Sequence, residues 1–171
     1  MINIILIIAI LIIASPAFVQ AQESPLSSVT ADELVDRLRP AEPGLRLRGL
    51  TITERAREPS RVDLAVEFGF DSAELTDNAR ALLSELAAAM QAETLKGLRF
   101  RLGGHTDAVG RASYNLALSK ERARAVRDFL TTEHGVDASR LDIAGYGMTR
   151  LLFPERPEDA RNRRVEIITL D

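Results

Sequence analysis

The 171-residue sequence has no cysteine. That excludes disulfides, thiolate metal sites, cysteine nucleophiles and attachment of a lipid to an N-terminal cysteine. Tryptophan is also missing, and only 5% of residues are aromatic. So few rings argue against a stacked-aromatic platform for sugars or single-stranded nucleic acid. Positive charge is not in excess: 22 Lys and Arg face 25 Asp and Glu, for a net charge of -3. A nucleic-acid partner has no electrostatic footprint here. There are two histidines, His105 and His134, with no third ligand at a metal-binding spacing. His105 lies beside Asp107, but no acid/base pair or nucleophile–base spacing accompanies them. We expect no metal, no cofactor and no catalysis, and we read His105 as a strand-end residue that packs locally.

Charge is lacking over one whole stretch. From Met1 to Ala21 there is no Asp, Glu, Lys or Arg, and Ile4 to Ala14 is unbroken apolar sequence. That run has the length of a signal-peptide core and is short for a bilayer span. Ser15 and Pro16 break it, and Val19-Gln20-Ala21 places small residues where a signal peptidase reads, so cleavage is expected before Gln22. No basic residue follows Met1, which leaves open an uncleaved membrane anchor reaching Val19. Residues 1–21 are therefore a signal segment or anchor. Residues 22–59 read as a linker with local order: Thr30-Ala31-Asp32-Glu33 has the pattern of a capping box, and Pro40 ends the short helix it opens.

Residues 60–171 carry the strong periodicities. Val62, Leu64, Val66, Phe68 and Phe70 alternate with polar or small residues, a half-buried strand. Thr76 caps a helix with Ala79, Leu82, Leu83, Leu86 and Met90 on one stripe. A second strand follows Gly97, and a second helix, read as capped by Ser119, buries Ala123, Val126, Phe129 and Leu130. Gly135 stands where a left-handed helix end belongs. Leu141 to Gly147 and the region of Val165 and Ile167 supply two more strands. The order β-α-β-α-β-β predicts an α/β (α+β) two-layer sandwich with a mixed sheet.

The densest polar cluster is Gly104-His105-Thr106-Asp107-Ala108-Val109-Gly110, a loop at the end of the second strand. With Ser119 as the cap, Arg122 falls in the first turn of the second helix. An arginine there opposes the helix dipole, and facing a bound anion would account for it.

Several motifs fall in one order and spacing: Phe70-Asp71-Ser72-Ala73-Glu74-Leu75, the Gly104 to Gly110 loop, Asn115 with Leu118, Ser119, Arg122, Ala123, Val126 and Leu130, Gly145-Tyr146-Gly147, and Asn162-Arg163-Arg164-Val165. Residues 60–171 thereby resemble the OmpA-like C-terminal domains shared by OmpA, Pal and MotB. The resemblance implies non-covalent binding of peptidoglycan, without catalysis, through the diaminopimelate of the stem peptide. Asp107 matches the family's ammonium-binding aspartate and Arg122 its carboxylate-binding arginine. Asp71, Thr106, Asn115 and Arg163 match positions lining the same groove, while Arg164 reads as a generic surface cation. The implied setting is the periplasm and cell envelope, associated with the outer membrane through the wall or through other envelope proteins. Without a cysteine the protein is not expected to be a lipoprotein, and it meets a membrane only if the signal segment stays uncleaved.

Overall fold

A computed structural model of the protein describes residues 23–40, 59–69 and 71–170. The signal segment and Phe70 lie outside the described residues. Helix α1 spans Ala31–Leu38, strand β1 Arg61–Leu64 and helix α2 Asp77–Gln91. Strand β2 (Arg99–His105), helix α3 (Ala112–Thr132), strand β3 (Leu141–Gly147) and strand β4 (Arg164–Leu170) complete the order. The sheet runs β1-β4-β2-β3; β2 and β3 are parallel and the other neighbours antiparallel. This is the mixed sheet with helices on one face that the sequence pattern implies.

Alternation builds the core. Val62, Leu64, Phe100, Leu102, Val165 and Ile167 point from the sheet into the helix layer and are buried against Leu82, Leu83, Leu86 and Met90 of α2. The α2 stripe is buried as its spacing requires, and Thr76 Oγ1 accepts from Ala79 N–H at 3.2 Å as the cap. The opposite sheet face carries Arg99, Arg101, Asp142 and Arg61, which form ion pairs across the strands.

The first strand is shorter than its alternation suggests. Leu64 pairs with Val165 at the very start of β4, so beyond Leu64 that neighbour ends. Ala65 N–H bonds the Leu26 carbonyl instead, at 2.8 Å. The chain then folds back through Asp71, which takes a left-handed φ of 50°, and Phe68 bridges to Leu75. Aspartate tolerates that conformation better than most residues.

Helix α1 forms as its cap predicts: Thr30 Oγ1 accepts from Glu33 N–H. The reciprocal half of the box is not made, because the Glu33 carboxylate takes the Arg37 guanidinium. Leu34 and Leu38 are fully buried in the same core as the sheet. Burial of each contributes about 1.5–3 kcal/mol, so this part of the segment read as a linker packs with the domain.

Helix α3 begins at Ala112, two turns earlier than a Ser119 cap would allow. Arg111 stands at the cap with no side-chain hydrogen bond. Ser119 is buried within the helix, where its hydroxyl accepts from Gly147 N–H at 2.9 Å and donates to the Leu116 carbonyl. Arg122 is therefore mid-helix, and the dipole argument for its position does not hold. What places the helix is close backbone approach. A Cβ on Gly104 would lie 2.0 Å from the Ser119 carbonyl oxygen, and one on Gly145 would lie 2.7 Å from Lys120 N. The glycines let α3 rest directly on β2 and β3.

Candidate ligand-binding site

Three stretches of chain converge at the C-terminal end of β2: the loop 106–110, residues 67–69 and 71–72 after β1, and the first half of α3. The segment ending at Arg163 closes the fourth side. Asp107 is buried in the loop. Its Oδ1 accepts from Val109 N–H at 3.2 Å, and its Oδ2 accepts from Arg163 Nη1 at 2.6 Å. The first bond shapes the loop; the second joins it to the start of β4.

Asn115, buried on α3, holds that loop from below. Its amide donates to the Val109 carbonyl at 2.9 Å and lies 3.4 Å from the Asp107 carbonyl. Thr106 bonds through its backbone N–H to the Gly147 carbonyl at 3.0 Å. Its buried hydroxyl has no hydrogen-bond partner among the described residues. An unpaired buried hydroxyl costs free energy unless a ligand or water completes it.

Arg122 sits opposite, half-buried on α3. Its Nε donates to the Ser72 carbonyl at 3.0 Å, and its guanidinium lies over the Phe68 ring, 4.9 Å from the centroid. Among the described residues no carboxylate comes within 4.0 Å of it. Burial pushes its pKa down, and the nearby Arg163 cation pushes the same way, with Asp107 opposing. The guanidinium is thus held in place on one side and short of negative charge on the other. Asp71 stands at the edge of the same turn, where Tyr114 on α3 donates its hydroxyl to Oδ1. That bond raises the Tyr114 pKa above its ordinary value.

An open cleft of about 440 Å³ continues from this point, lined by Glu67, Phe68, Arg122, Arg161 and Arg163. Arg161 is already held by both Asp159 oxygens. Among the described residues no group of three or more acidic or histidine side chains is placed to hold a metal.

Of the six residues singled out from the sequence, Asp107, Arg163, Thr106 and Asn115 form one cluster around the loop. Arg122 and Asp71 stand across from it on α3 and its neighbouring turn. Arg164 does not belong with them and is no surface cation: it is buried, with Nε 2.6 Å from Asp63 on the far side of the strand. His105 packs at the end of β2, its ring centroid 5.0 Å from that of Tyr146 and its Nε2 3.4 Å from Glu166. Sequence reasoning did not single out Phe68, Ser72 or Tyr114 as site residues. Phe68 gave no signal beyond strand alternation, and Ser72 acts through a carbonyl that every residue has.

The fold is a small two-layer α/β domain with charged residues gathered beside a strand-end loop. The sequence model of the OmpA family matches residues 67–164, and the chain belongs to that family. Its sequence is 40% identical over 111 residues to outer membrane porin F of Pseudomonas aeruginosa, covering 64% of this chain and 31% of that protein. It is 38% identical over 104 residues to the peptidoglycan-associated lipoprotein of the same organism, covering 58% of each. Among solved structures, the peptidoglycan-associated lipoprotein of Burkholderia pseudomallei superposes with a TM-score of 0.52 at 29% identity, over 61% of this chain and 88% of that one. The chain thus spans less than two thirds of the length of these two curated relatives.

Proposed function

We propose that the protein is a non-catalytic component of the cell envelope that binds peptidoglycan through the zwitterionic end of diaminopimelate. That group carries an ammonium and a carboxylate on one carbon, so it needs one fixed anion and one fixed cation. Asp107 supplies the anion. Arg122 supplies the cation, with a planar fork suited to a carboxylate. The observation that carries the reading is the half-buried Arg122 guanidinium, oriented by Ser72 and Phe68 and without a carboxylate partner among the described residues. Thr106 and Asn115 shape the loop and offer hydrogen bonds, and Asp71 borders the site.

Each charge-assisted contact contributes about 1.5–3 kcal/mol net, so a single site binds modestly and a polymeric wall adds avidity where several copies engage. The test is sedimentation of the exported protein with purified sacculi. Asp107→Ala and Arg122→Ala are expected to stay in the supernatant while melting cooperatively. Binding retained by both variants would overturn the assignment.

The apolar run from Ile4 to Ala14 favours a second reading of the setting, in which an uncleaved segment fixes the same domain to a membrane. N-terminal sequencing of the exported protein separates the two: a start at Gln22 rules out the anchor.

A further inference from the structure

Asp107 is not waiting unpaired. Its Oδ1 is committed to the backbone of its own loop, and its Oδ2 holds Arg163 at 2.6 Å. The Asp107 side chain is only 12% exposed, against 49% for Arg163. Little of the carboxylate can therefore be reached except where Arg163 already stands. An incoming ammonium must displace Arg163 from Oδ2 or crowd a second cation onto the same oxygen, and both oppose binding. The exposed partner is the one free to move. Arg163 lines the cleft together with Arg122 and Glu67; Glu67 already accepts from Asn78 Nδ2 at 3.4 Å, so a released Arg163 gains a full carboxylate partner when the ligand brings one.

Resting on the wall-binding reading above, we infer that Arg163 is a specificity-determining residue: an internal cation that makes Asp107 accept an ammonium only when a carboxylate accompanies it. With a diaminopimelate side chain, the pair lost at Asp107 is replaced by Arg163 joining Arg122 at the ligand carboxylate. With a lysine side chain in the same stem-peptide position, the ammonium takes Asp107 and Arg163 is left with water in place of its carboxylate. Arg122 also favours the carboxylate-bearing ligand, but it does so by added affinity and sets no penalty on a bare amine. The penalty lies in the Asp107–Arg163 contact.

The experiment titrates the full chain with two soluble tripeptides, L-Ala-γ-D-Glu-meso-diaminopimelate and L-Ala-γ-D-Glu-L-Lys. The wild type is expected to prefer the first. Arg163→Gln is expected to reduce that preference by about tenfold, the lower end of what one charge-assisted contact provides, by loss of the Arg163 contact to the ligand carboxylate, with the lysine peptide tightened only a few-fold. Arg163→Lys keeps the cation without the fork and is expected to fall between the two; it carries the test should the glutamine variant fail to fold. A preference unchanged in the variants, or both peptides weakened alike, overturns the inference and leaves wall binding standing. A wild type that binds neither peptide while its sacculus binding depends on neither Asp107 nor Arg122 overturns the wall-binding reading and this one with it.

Discussion

Arg163 and Arg164 are consecutive in the chain, and each places a guanidinium nitrogen 2.6 Å from an aspartate. The aspartates are similarly sheltered, with 12% and 15% of their side chains exposed; the arginines are not. The Arg164 side chain is 6% exposed, and its other nitrogens donate to the carbonyls of Asn162 and Arg150. It has no alternative to Asp63, and with Asp63 it ties β4 to β1. Arg163 makes one contact and keeps half of its side chain in solvent. Water can take over from Asp107 at small cost. Distance alone does not separate a structural ion pair from one that can open; burial and the number of remaining partners do.

The largest expected effect tests the structural half of this contrast. Arg164→Ala empties a buried arginine's place and leaves the partly buried Asp63 without its cation; it should cost about 3 kcal/mol in urea unfolding, the lower end for a broken buried pair. Replacing the pair together, as Asp63→Leu with Arg164→Met, should recover most of that loss. Next, Arg122→Ala should weaken attachment to sacculi by about ten- to a hundredfold, with cooperative melting preserved. Third, Arg163→Ala should cost less than about 1 kcal/mol of stability, as befits a pair with one solvated partner. Similar losses for Arg163→Ala and Arg164→Ala would erase the comparison.

The smallest effect sits on the Arg164 side of the sheet and is read in pH. Burial pushes the His105 pKa below its ordinary 6.5, with Arg164 acting in the same direction and Glu166 and Asp63 opposing. The folded protein therefore binds that proton less readily than the unfolded chain. Stability is whole above about pH 6.5 and falls as pH drops below it toward the folded-state value. The Glu166 carboxyl, lowered chiefly by its contact with His105, adds a further loss when pH falls through its own folded-state value. His105→Gln should flatten the stability profile between pH 7 and pH 5.5. An unchanged slope would show that the histidine does not set it.

Much of this organisation was legible in the sequence, and the parts that were not have physical reasons. Alternation located β1 because Val62 and Leu64 face one core, and it overran because Val66 and Phe68 keep facing inward after the β4 partner ends. The start of α3 was hidden because its first inward positions are Asn115 and Ser119, polar residues chosen by a close backbone contact and a loop to hold. Ser119 imitates a cap in sequence and is a cross-link in space. The burial of Leu34 and Leu38 could not be read because two leucines four residues apart mark an apolar stripe without saying what it packs against. Arg163 and Arg164 look equivalent in sequence; only the position of β4 beside β1 sends one into the interior. The family pattern named Asp107 and Arg122, while Ser72 and Phe68, which orient Arg122, needed three dimensions.

The glycines under α3 have a consequence for how this protein can change. The gap between the loop bearing Asp107 and the helix bearing Arg122 is set by main-chain atoms in contact at Gly104 and Gly145, which act as hard stops rather than as springs. Substitutions among the leucines of the core can lower the melting temperature without widening that gap. Robustness and the spacing of loop and helix are therefore separately adjustable traits, one drifting with the interior and the other fixed by two positions where no side chain fits.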